Sequence, residues 1–262
     1  MFVIAVVSAK GGVGKTTVSA NLGVALAQRG MRVLMIDLDP QNALQWHLGG
    51  PDKNRSVGIS DLTGERRLSI ADVAQTSDLG VSFVPFGRSG EGQRIRFEAM
   101  LTNRPSWLAE LLWHAGLQKD VVVILDTPPG PSEYLKQAIC AADFLLGVML
   151  ADAASYSTLP EMEALIQTYG RQKRRMPDSA YIINQGAPRQ LAKDVQALFG
   201  DRLGPRMVPY VVEERPEVEE ALAFECPVIA YRPDSSASRT MLSVADWLLN
   251  ILRYRVLREV HR

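Results

Sequence analysis

Residues that could bind phosphate are concentrated near the start of the sequence, in the stretch A-K-G-G-V-G-K-T-T at residues 9–17. Three glycines let the backbone turn without Cβ clashes, so that consecutive N–H groups can point at phosphate oxygens. A helix that begins directly after the loop would add its positive end to the same site. The loop residues that we predict to contact a nucleotide are Gly11, Gly12, Val13, Gly14, Lys15, Thr16 and Thr17.

The order of side chains matches the P-loop pattern G-x-x-x-x-G-K-[ST], in which the lysine contacts the β- and γ-phosphates and the next hydroxyl binds Mg²⁺. Lys15 and Thr16 take these positions, and Thr17 is placed to reach the α-phosphate. Ala9 replaces the usual first glycine and is followed by an additional lysine, Lys10. The alternative is a glycine-rich turn without a ligand, but the position between an apolar strand and a helix favours phosphate binding.

Aspartates follow two further apolar runs. Asp37 and Asp39 lie in D-L-D-P-Q after the run at 33–36, and Asp126 begins D-T-P-P-G after the run at 121–125. An aspartate before proline at the end of a strand is more often only a turn residue. Ligands of parallel sheets, however, bind at the carboxyl ends of the strands. Three polar loops at such ends, in this order, favour one shared site.

These loops require a sheet that brings strand ends together, and the sequence predicts one. Strands alternate with helices of about ten to fifteen residues, which is typical of a mostly parallel sheet covered on both faces. We therefore expect a three-layer α/β/α, Rossmann-like P-loop domain over residues 1–262. A helix from Ser236 closes it, and about 243–262 hold this closing helix with its arginine-rich tail. Residues 42–79 show no regular pattern, and Pro227–Ala230 reads as a short strand-like piece.

Composition excludes several classes of protein. Lysine plus arginine equals aspartate plus glutamate at 29 each, so no global charge favours nucleic acid. The two cysteines, Cys140 and Cys226, lie far apart and outside any CxxC motif, which excludes a disulfide framework or a cysteine metal site. No apolar run approaches the roughly 20 residues of a membrane span, and the N-terminus lacks the features of a signal peptide. We expect a cytoplasmic protein, at most peripheral to a membrane.

The loop x-K-G-G-x-G-K-T-T resembles the MinD/ParA family, the deviant Walker A or SIMIBI ATPases. The resemblance implies that Lys10 reaches across an ATP-dependent homodimer to the phosphates bound by the partner subunit. ATP would then act as a dimerisation switch. A solvated loop lysine is the alternative. With one cation missing from the isolated subunit, we expect slow hydrolysis, comparable to intrinsic rates of switch GTPases.

The same resemblance implies roles for the aspartates and for the base site. Asp37 would support Mg²⁺ through water and Asp39 would orient the attacking water, as in switch I. Asp126 would be the Walker B residue before switch II, completing a metal set of Thr16, Asp37 and Asp126. The residues at positions where family members contact adenine are Asn184, Pro209 and Tyr210. Asn184 could instead be a helix cap or turn residue.

The branches of this family differ in the sequence features that their functions require. Iron–sulfur carriers need interface cysteines, whereas this sequence has only Cys140 and Cys226, outside any CxxC motif. Bacterial tyrosine kinases need a tyrosine-rich tail, whereas the C-terminal tail here holds only Tyr254. A DNA-partitioning ParA role would use a basic surface, for which 171–175 (R-Q-K-R-R) is the candidate, although a solvated loop at the opposite end of the sheet is the simpler interpretation. A MinD-like or flagellar-number role would use the C-terminal tail on a membrane, although its first half is more typical of a core helix.

Within the family, the sequence also resembles the BcsQ group, the MinD-like ATPases of cellulose-synthase operons. It rests on S-F-V-P-F-G at 82–87, the strand end at 182–184, and the long segment at 209–227 that leads into P-V-I-A-Y-R-P-D. It implies a switch that supports assembly or polar placement of the cellulose secretion machinery. The expected partners are BcsR-like and BcsE-like proteins at the inner membrane. DNA remains the alternative partner.

Overall fold

A continuous twisted sheet forms the centre of the molecule. The computed structural model describes residues 1–49, 56–63, 68–171, 173 and 175–260, with the backbone alone from 254 onward. The strands are β1 (Phe2–Val7), β2 (Arg32–Asp37), β3 (Gln75–Thr76), β4 (Ser82–Val84), β5 (Val121–Asp126), β6 (Phe144–Leu150), β7 (Asp178–Gly186) and β8 (Met207–Glu213). They lie in the order β3-β4-β2-β5-β1-β6-β7-β8, and every pairing is parallel except β3 with β4.

Helices cover both faces of this sheet. They are α1 (Lys15–Gln28), α2 (Leu44–His47), α3 (Ile70–Val73), α4 (Glu91–Asn103), α5 (Trp107–His114), α6 (Glu133–Ala141), α7 (Ala153–Gly170), α8 (Gln190–Leu203), α9 (Pro216–Ala223), α10 (Val228–Tyr231) and α11 (Ser236–Val260). Alternate strand residues point to opposite faces, so Ile4 and Val6 pack with α1 and α11, whereas Val3 and Ala5 pack with α4 to α7. This confirms the predicted three-layer α/β/α fold.

The central strands are buried as expected for a parallel sheet, and their ends lie side by side. All six residues of β5, V-V-V-I-L-D, are buried, as expected for a strand covered by helices on both faces. In the register of β2 with β5, Asp37 lies opposite Asp126, and Val6 of β1 also pairs with Asp126. The carboxyl ends of these three neighbouring strands therefore meet at one edge.

The structure differs from the sequence-based expectations at three places. Pro227–Ala230 is not strand-like: Pro227 precedes the short helix α10, and the Tyr231 N–H donates to the Pro227 carbonyl. The long helix α4 was not predicted, because only Phe97 and Leu101 of its residues are buried and the sequence carries no broad apolar stripe. The sequence predicts only a short strand at Met207–Pro209, whereas β8 continues to Glu213.

The closing helix α11 begins at Ser236 as predicted, and its first half belongs to the core. Leu248 and Leu252 are buried against the α1 side of the sheet, and the Trp247 ring lies edge-on to Phe144 at 6.2 Å. Arg29 and Asp246 join α1 to α11 through an ion pair at 2.8 Å. In the described part of the chain, no helix has the length and apolarity that crossing a membrane requires.

Candidate functional site

The loop between β1 and α1 has the geometry of an anion cradle. Gly12 and Gly14 adopt left-handed φ values of 74° and 83°, which glycine reaches without steric cost. Helix α1 begins at Lys15 with no side-chain cap on Gly14, so the N–H groups of its first turn, which have no acceptor within the helix, face the end of the sheet. The loop thus presents its backbone donors and the positive end of α1 to a bound anion.

Lys15 is a buried cation at the centre of this cradle. It is only 7% exposed, and its Nζ donates to Ser8 Oγ at 2.9 Å, while Ser8 Oγ donates to the Lys10 carbonyl at 2.7 Å. Desolvation lowers the pKa of Lys15, although the negative charges of Asp126 and Asp39 oppose that shift. An anion with several charges bound at this loop would offset the cost of burying the ammonium group.

Two fully buried aspartates lie beside the loop. Burial, followed by the charge of Asp126, raises the pKa of Asp37 well above its usual range. Burial also raises the pKa of Asp126 to about 6, against hydrogen bonds from Thr16 Oγ1 at 2.7 Å and Ser19 Oγ at 2.9 Å. Two such carboxylates are costly to ionise together unless a cation is bound nearby.

The donor set fits Mg²⁺ that is shared with phosphates. Among the described residues, no cluster of three or more His, Cys, Asp or Glu side chains is placed to hold a metal ion. Mg²⁺, however, usually binds through one or two carboxylates together with water and substrate phosphate oxygens. Thr16, Asp126 and Asp37 supply a hydroxyl and two carboxylates of that kind, so the predicted metal residues lie together.

Switch I, residues 37–42, is held by the carboxylate of Asp37. Asp37 Oδ1 accepts the Asp39 N–H at 2.9 Å, and Asp37 Oδ2 accepts the Leu44 N–H at 3.0 Å, which fixes the start of α2. Asp39 is half-buried and accepts the Gln41 N–H. Asn42, in a left-handed conformation, accepts the Phe86 N–H at 2.8 Å and so ties switch I to the loop after β4.

Switch II, residues 126–130, packs directly on the loop after β1. Thr127 Oγ1 donates to the Val6 carbonyl at 2.7 Å, and the Gly130 N–H donates to the Ser8 carbonyl at 3.0 Å. The predicted Walker B strand and the P-loop therefore form one hydrogen-bonded unit.

Lys10 is held by its own subunit in this structure. Its Nζ donates to Asp152 Oδ2 at 2.8 Å, and both side chains are more than one-third exposed. Asp152 also caps α7 by accepting the Ser155 N–H at 2.7 Å. Burial opposes ionisation of Asp152, but the hydrogen bonds from Lys10 and Ser155 outweigh it and lower the pKa. Contact of Lys10 with a second subunit remains a prediction and would require this pair to separate.

The residues predicted for base recognition differ in their placement. Asn184 is neither a helix cap nor a turn: it lies within β7, is 5% exposed, and donates through Nδ2 to the Val13 carbonyl at 2.8 Å. Pro209 and Tyr210 do not begin a loop, because β8 continues beyond them, and the loop at the nucleotide end begins only at Glu214. They lie exposed on the edge strand, and their base contact has no support in this geometry.

The described residues of the basic run lie in the loop between α7 and β7, at the sheet end away from the P-loop. Lys173 donates to the Ala142 carbonyl, and Arg175 lies 3.6 Å from Asp178. Gln172 and Arg174 lie outside the described residues. This placement matches the solvated loop at the opposite end of the sheet that was the simpler interpretation.

Sequence reasoning missed three residues that complete the site. Ser19, one helical turn after Thr16, binds the same carboxylate, and Ser8 supports Lys15. Asp152 lies two residues after the end of β6, so the rule that polar residues at strand ends share a site could have identified it. Ser8, the first residue after β1, satisfies the same rule, but its contact with Lys15 depends on the burial of that lysine.

Comparisons with known proteins agree with this geometry. The family model described as "Cellulose biosynthesis protein BcsQ" matches residues 1–249. The chromosome partitioning protein ParA of Caulobacter vibrioides is 30% identical over 97% of this chain and 96% of its own. An uncharacterized ATP-binding protein of Methanocaldococcus jannaschii is 30% identical over 94% of this chain and 87% of its own.

Solved structures show the same fold. The cell division ATPase MinD of Pyrococcus furiosus superimposes with a TM-score of 0.75 at 24% identity, covering 95% of this chain and 99% of MinD. Cobyrinic acid a,c-diamide synthase of Mycobacterium smegmatis, crystallised with an ATP analogue and magnesium, has a TM-score of 0.78 at 21% identity, covering 97% and 96%. From the match over residues 1–249 and the likeness to ParA, the chain belongs to the BcsQ family of MinD/ParA-type ATPases.

Proposed function

We propose that the protein is an ATP-dependent dimeric switch that supports assembly or placement of the cellulose synthesis and secretion machinery. The observation that carries the ATP-dependent switch is the buried Lys15 together with a second lysine, Lys10, that its own subunit holds by a surface ion pair. An exposed pair contributes at most about 1 kcal/mol. A triphosphate bound to a second subunit would offer Lys10 stronger, charge-assisted hydrogen bonds.

ATP with Mg²⁺ is the proposed ligand. The loop amides, the positive end of α1 and Lys15 would bind the β- and γ-phosphates, while Thr16 and Asp126 would hold the metal and Asp37 would support it through water. Bound Mg²⁺ would neutralise phosphate charge and relieve the raised pKa values of the two buried aspartates. Asn184 keeps its Nδ2 on the Val13 carbonyl, so its Oδ1 would be the acceptor for the exocyclic amine of adenine.

Hydrolysis would be slow because one subunit supplies only part of the charge that the reaction needs. Asp39 would orient the attacking water, and its position is set by the Asp39 N–H bond to Asp37. Lys15 and, in the dimer, the partner's Lys10 would stabilise charge on the transferred phosphoryl group. An isolated subunit lacks the second of these cations.

The cellulose role rests on membership of the BcsQ family. We propose BcsR-like and BcsE-like proteins as partners, in the cytoplasm or at the inner membrane or cell pole. In a cellulose-producing host, deletion of the gene should reduce cellulose at the colony surface, measured by dye binding. Complementation with the wild-type gene should restore it, and Lys15→Ala should not. Full restoration by Lys15→Ala would contradict a nucleotide-dependent role.

The likeness to ParA supports a second candidate, DNA partitioning by the ATP-loaded dimer. The neutral overall charge gives it no further support. Affinity for duplex DNA measured at several salt concentrations separates the two roles. A steep negative slope of log affinity against log salt would favour partitioning, and no binding would favour the cellulose role.

A further inference from the structure

The exposed surface formed by α9 and α10 combines apolar and acidic groups. Phe224 is 68% exposed and Leu222 is 43% exposed, at the end of a helix whose other face is buried through Ala221. The Phe224 ring stacks on Tyr231 with centroids 5.1 Å apart and an interplanar angle of 22°. We call the surface of Leu222, Phe224 and Tyr231, with the acidic residues of 213–225, the α9 face.

Further contacts hold the aromatic pair of the α9 face in place. Tyr231 donates through its hydroxyl to Glu220 at 3.2 Å, and the Arg232 guanidinium lies 5.7 Å from the centre of the Tyr231 ring. An exposed aromatic pair that is held in this way would lose little conformational freedom on binding, which favours affinity. Large apolar side chains in such arrays are typical of protein interaction sites.

The charge of the α9 face selects its partner. Residues 213–225 contain six glutamates and a single arginine, Arg215, which pairs with Glu213. Within the part of the chain that the structure describes, Glu214, Glu217 and Glu219 form no ion pair. An acidic surface repels DNA and anionic lipid, and two copies of it would repel each other.

We infer that the α9 face binds a basic amphipathic helix of a partner protein, with apolar side chains on Phe224 and Leu222 and lysine or arginine against the glutamates. The position of the α9 face close to switch I also supports this inference. Helix α2, which carries the 39%-exposed Trp46, packs beside α9, and a Cβ on Gly49 would lie 3.2 Å from the Glu225 carbonyl. Since Asp37 anchors the start of α2, the α9 face lies one short helix away from switch I.

The two exposed leucines of α8 provide a comparison. Leu191 and Leu198 lie on α8, on the opposite face of the sheet, and are 66% and 48% exposed. Between these two leucines in the sequence lie Lys193, which is positive, and Asp194, which is negative, so this surface is not uniformly acidic. Leu191 is therefore a matched control for Phe224, with nearly equal exposure and no aromatic stack.

The test uses the full chain without nucleotide, so that its result does not depend on whether ATP drives dimerisation. The probe is a fluorescein-labelled leucine–lysine peptide of about 18 residues with leucine at helical spacing, and a leucine–glutamate peptide of the same pattern is the peptide control. Binding is measured by fluorescence anisotropy. The variants are Phe224→Ser and the double variant Glu217→Lys/Glu219→Lys, with Leu191→Ser and Glu161→Lys as controls on other surfaces.

We expect the lysine peptide to bind the wild type, the glutamate peptide not to bind, and each α9 variant to weaken affinity about ten-fold or more. Both control variants should retain wild-type affinity. The inference is overturned if both α9 variants bind like the wild type, if Leu191→Ser weakens binding equally, or if the glutamate peptide binds as tightly. A nucleotide-free dimer that Phe224→Ser dissociates would assign the α9 face to a second copy and would also overturn it.

Discussion

At the scale of single residues, the side chains that matter most are the charged groups buried at the site. Lys15 is buried beside Ser8 and near the charges of Asp126 and Asp39, and Asp37 and Asp126 are buried beside each other. Each of these groups carries a desolvation cost that a bound nucleotide with its metal would offset. The site therefore holds costly buried charges where a nucleotide and its metal would bind, and Lys10 is held by a solvent-exposed ion pair that contributes little to stability.

Removing the partner of Lys10 should favour the dimer. Asp152→Asn keeps an acceptor for the Ser155 N–H at the start of α7 but removes the ion pair with Lys10. Because an exposed pair is worth at most about 1 kcal/mol and each dimer separates two such pairs, dimerisation with a non-hydrolysable ATP analogue should strengthen by up to about 30-fold. Sedimentation equilibrium measures this. Asp246→Asn, which removes the ion pair with Arg29, is the control and should leave the dimer constant unchanged.

His47 gives the protein a defined sensitivity to acid. Desolvation lowers the pKa of this buried side chain from 6.5 to about 4, so the native state stays neutral where the unfolded state binds a proton. Its contribution to stability is therefore present above pH 6.5 and is lost as the pH falls towards 4. By linkage the loss is about 2 kcal/mol at pH 5.

His47→Asn should remove this loss. The free energy of unfolding, measured by urea denaturation at pH 7 and pH 5, should fall less for the variant than for the wild type, by about 2 kcal/mol. His114→Asn, at an exposed position on α5, should keep the wild-type dependence. Equal pH dependence of the wild type and His47→Asn would show that His47 is not responsible.

At the scale of elements, the P-loop depends on the close approach of β7. Gly14 and Gly30 have nearly equal left-handed φ values of 83° and 82°, but only Gly14 is crowded: a Cβ there would lie 2.3 Å from Asn184 Nδ2, whereas a Cβ on Gly30 meets nothing within 4 Å. Both alanine variants strain the backbone by about 1 kcal/mol. Gly14→Ala must also displace Asn184 and the loop.

Gly14→Ala should therefore abolish ATP binding in calorimetry, whereas Gly30→Ala should lower the melting temperature by a few degrees and retain affinity. The comparison separates steric from conformational effects because the two sites share one backbone conformation. Wild-type affinity of Gly14→Ala would mean that the packing of β7 against the loop does not shape the site.

The same elements show what could be predicted from sequence. The loop at 9–17 and the strands before Asp37 and Asp126 were predicted because short apolar runs ending in glycine or aspartate are local signals. Helix α4 was missed because only Phe97 and Leu101 of its residues are buried. Pro227–Ala230 was assigned wrongly because a four-residue apolar run does not distinguish strand from helix. The Lys10–Asp152 pair joins residues 142 apart, which spacing along the chain cannot reveal.

At the scale of the whole molecule, the sheet order places the loops of the predicted nucleotide site at one end of the sheet. Strands β2, β5, β1, β6 and β7 are neighbours, and their carboxyl ends carry switch I, switch II, the P-loop, Asp152 and Asn184. A surface assembled from five adjacent strand ends is suited to face a second subunit across two nucleotides. The α9 face starts where β8 ends, at Glu213 and Glu214, so a partner bound there would lie beside this end of the sheet.

The central claim is that ATP joins two subunits through Lys10, and the molar mass in solution tests it most directly. Size-exclusion chromatography with light scattering should show a monomer with ADP, a dimer with ATP, and a persistent dimer for Asp39→Ala with ATP, because the variant binds but hydrolyses slowly. Lys10→Ala with ATP should remain monomeric while still binding nucleotide through Lys15. A dimer of Lys10→Ala with ATP, or a monomer of Asp39→Ala with ATP, would contradict the account.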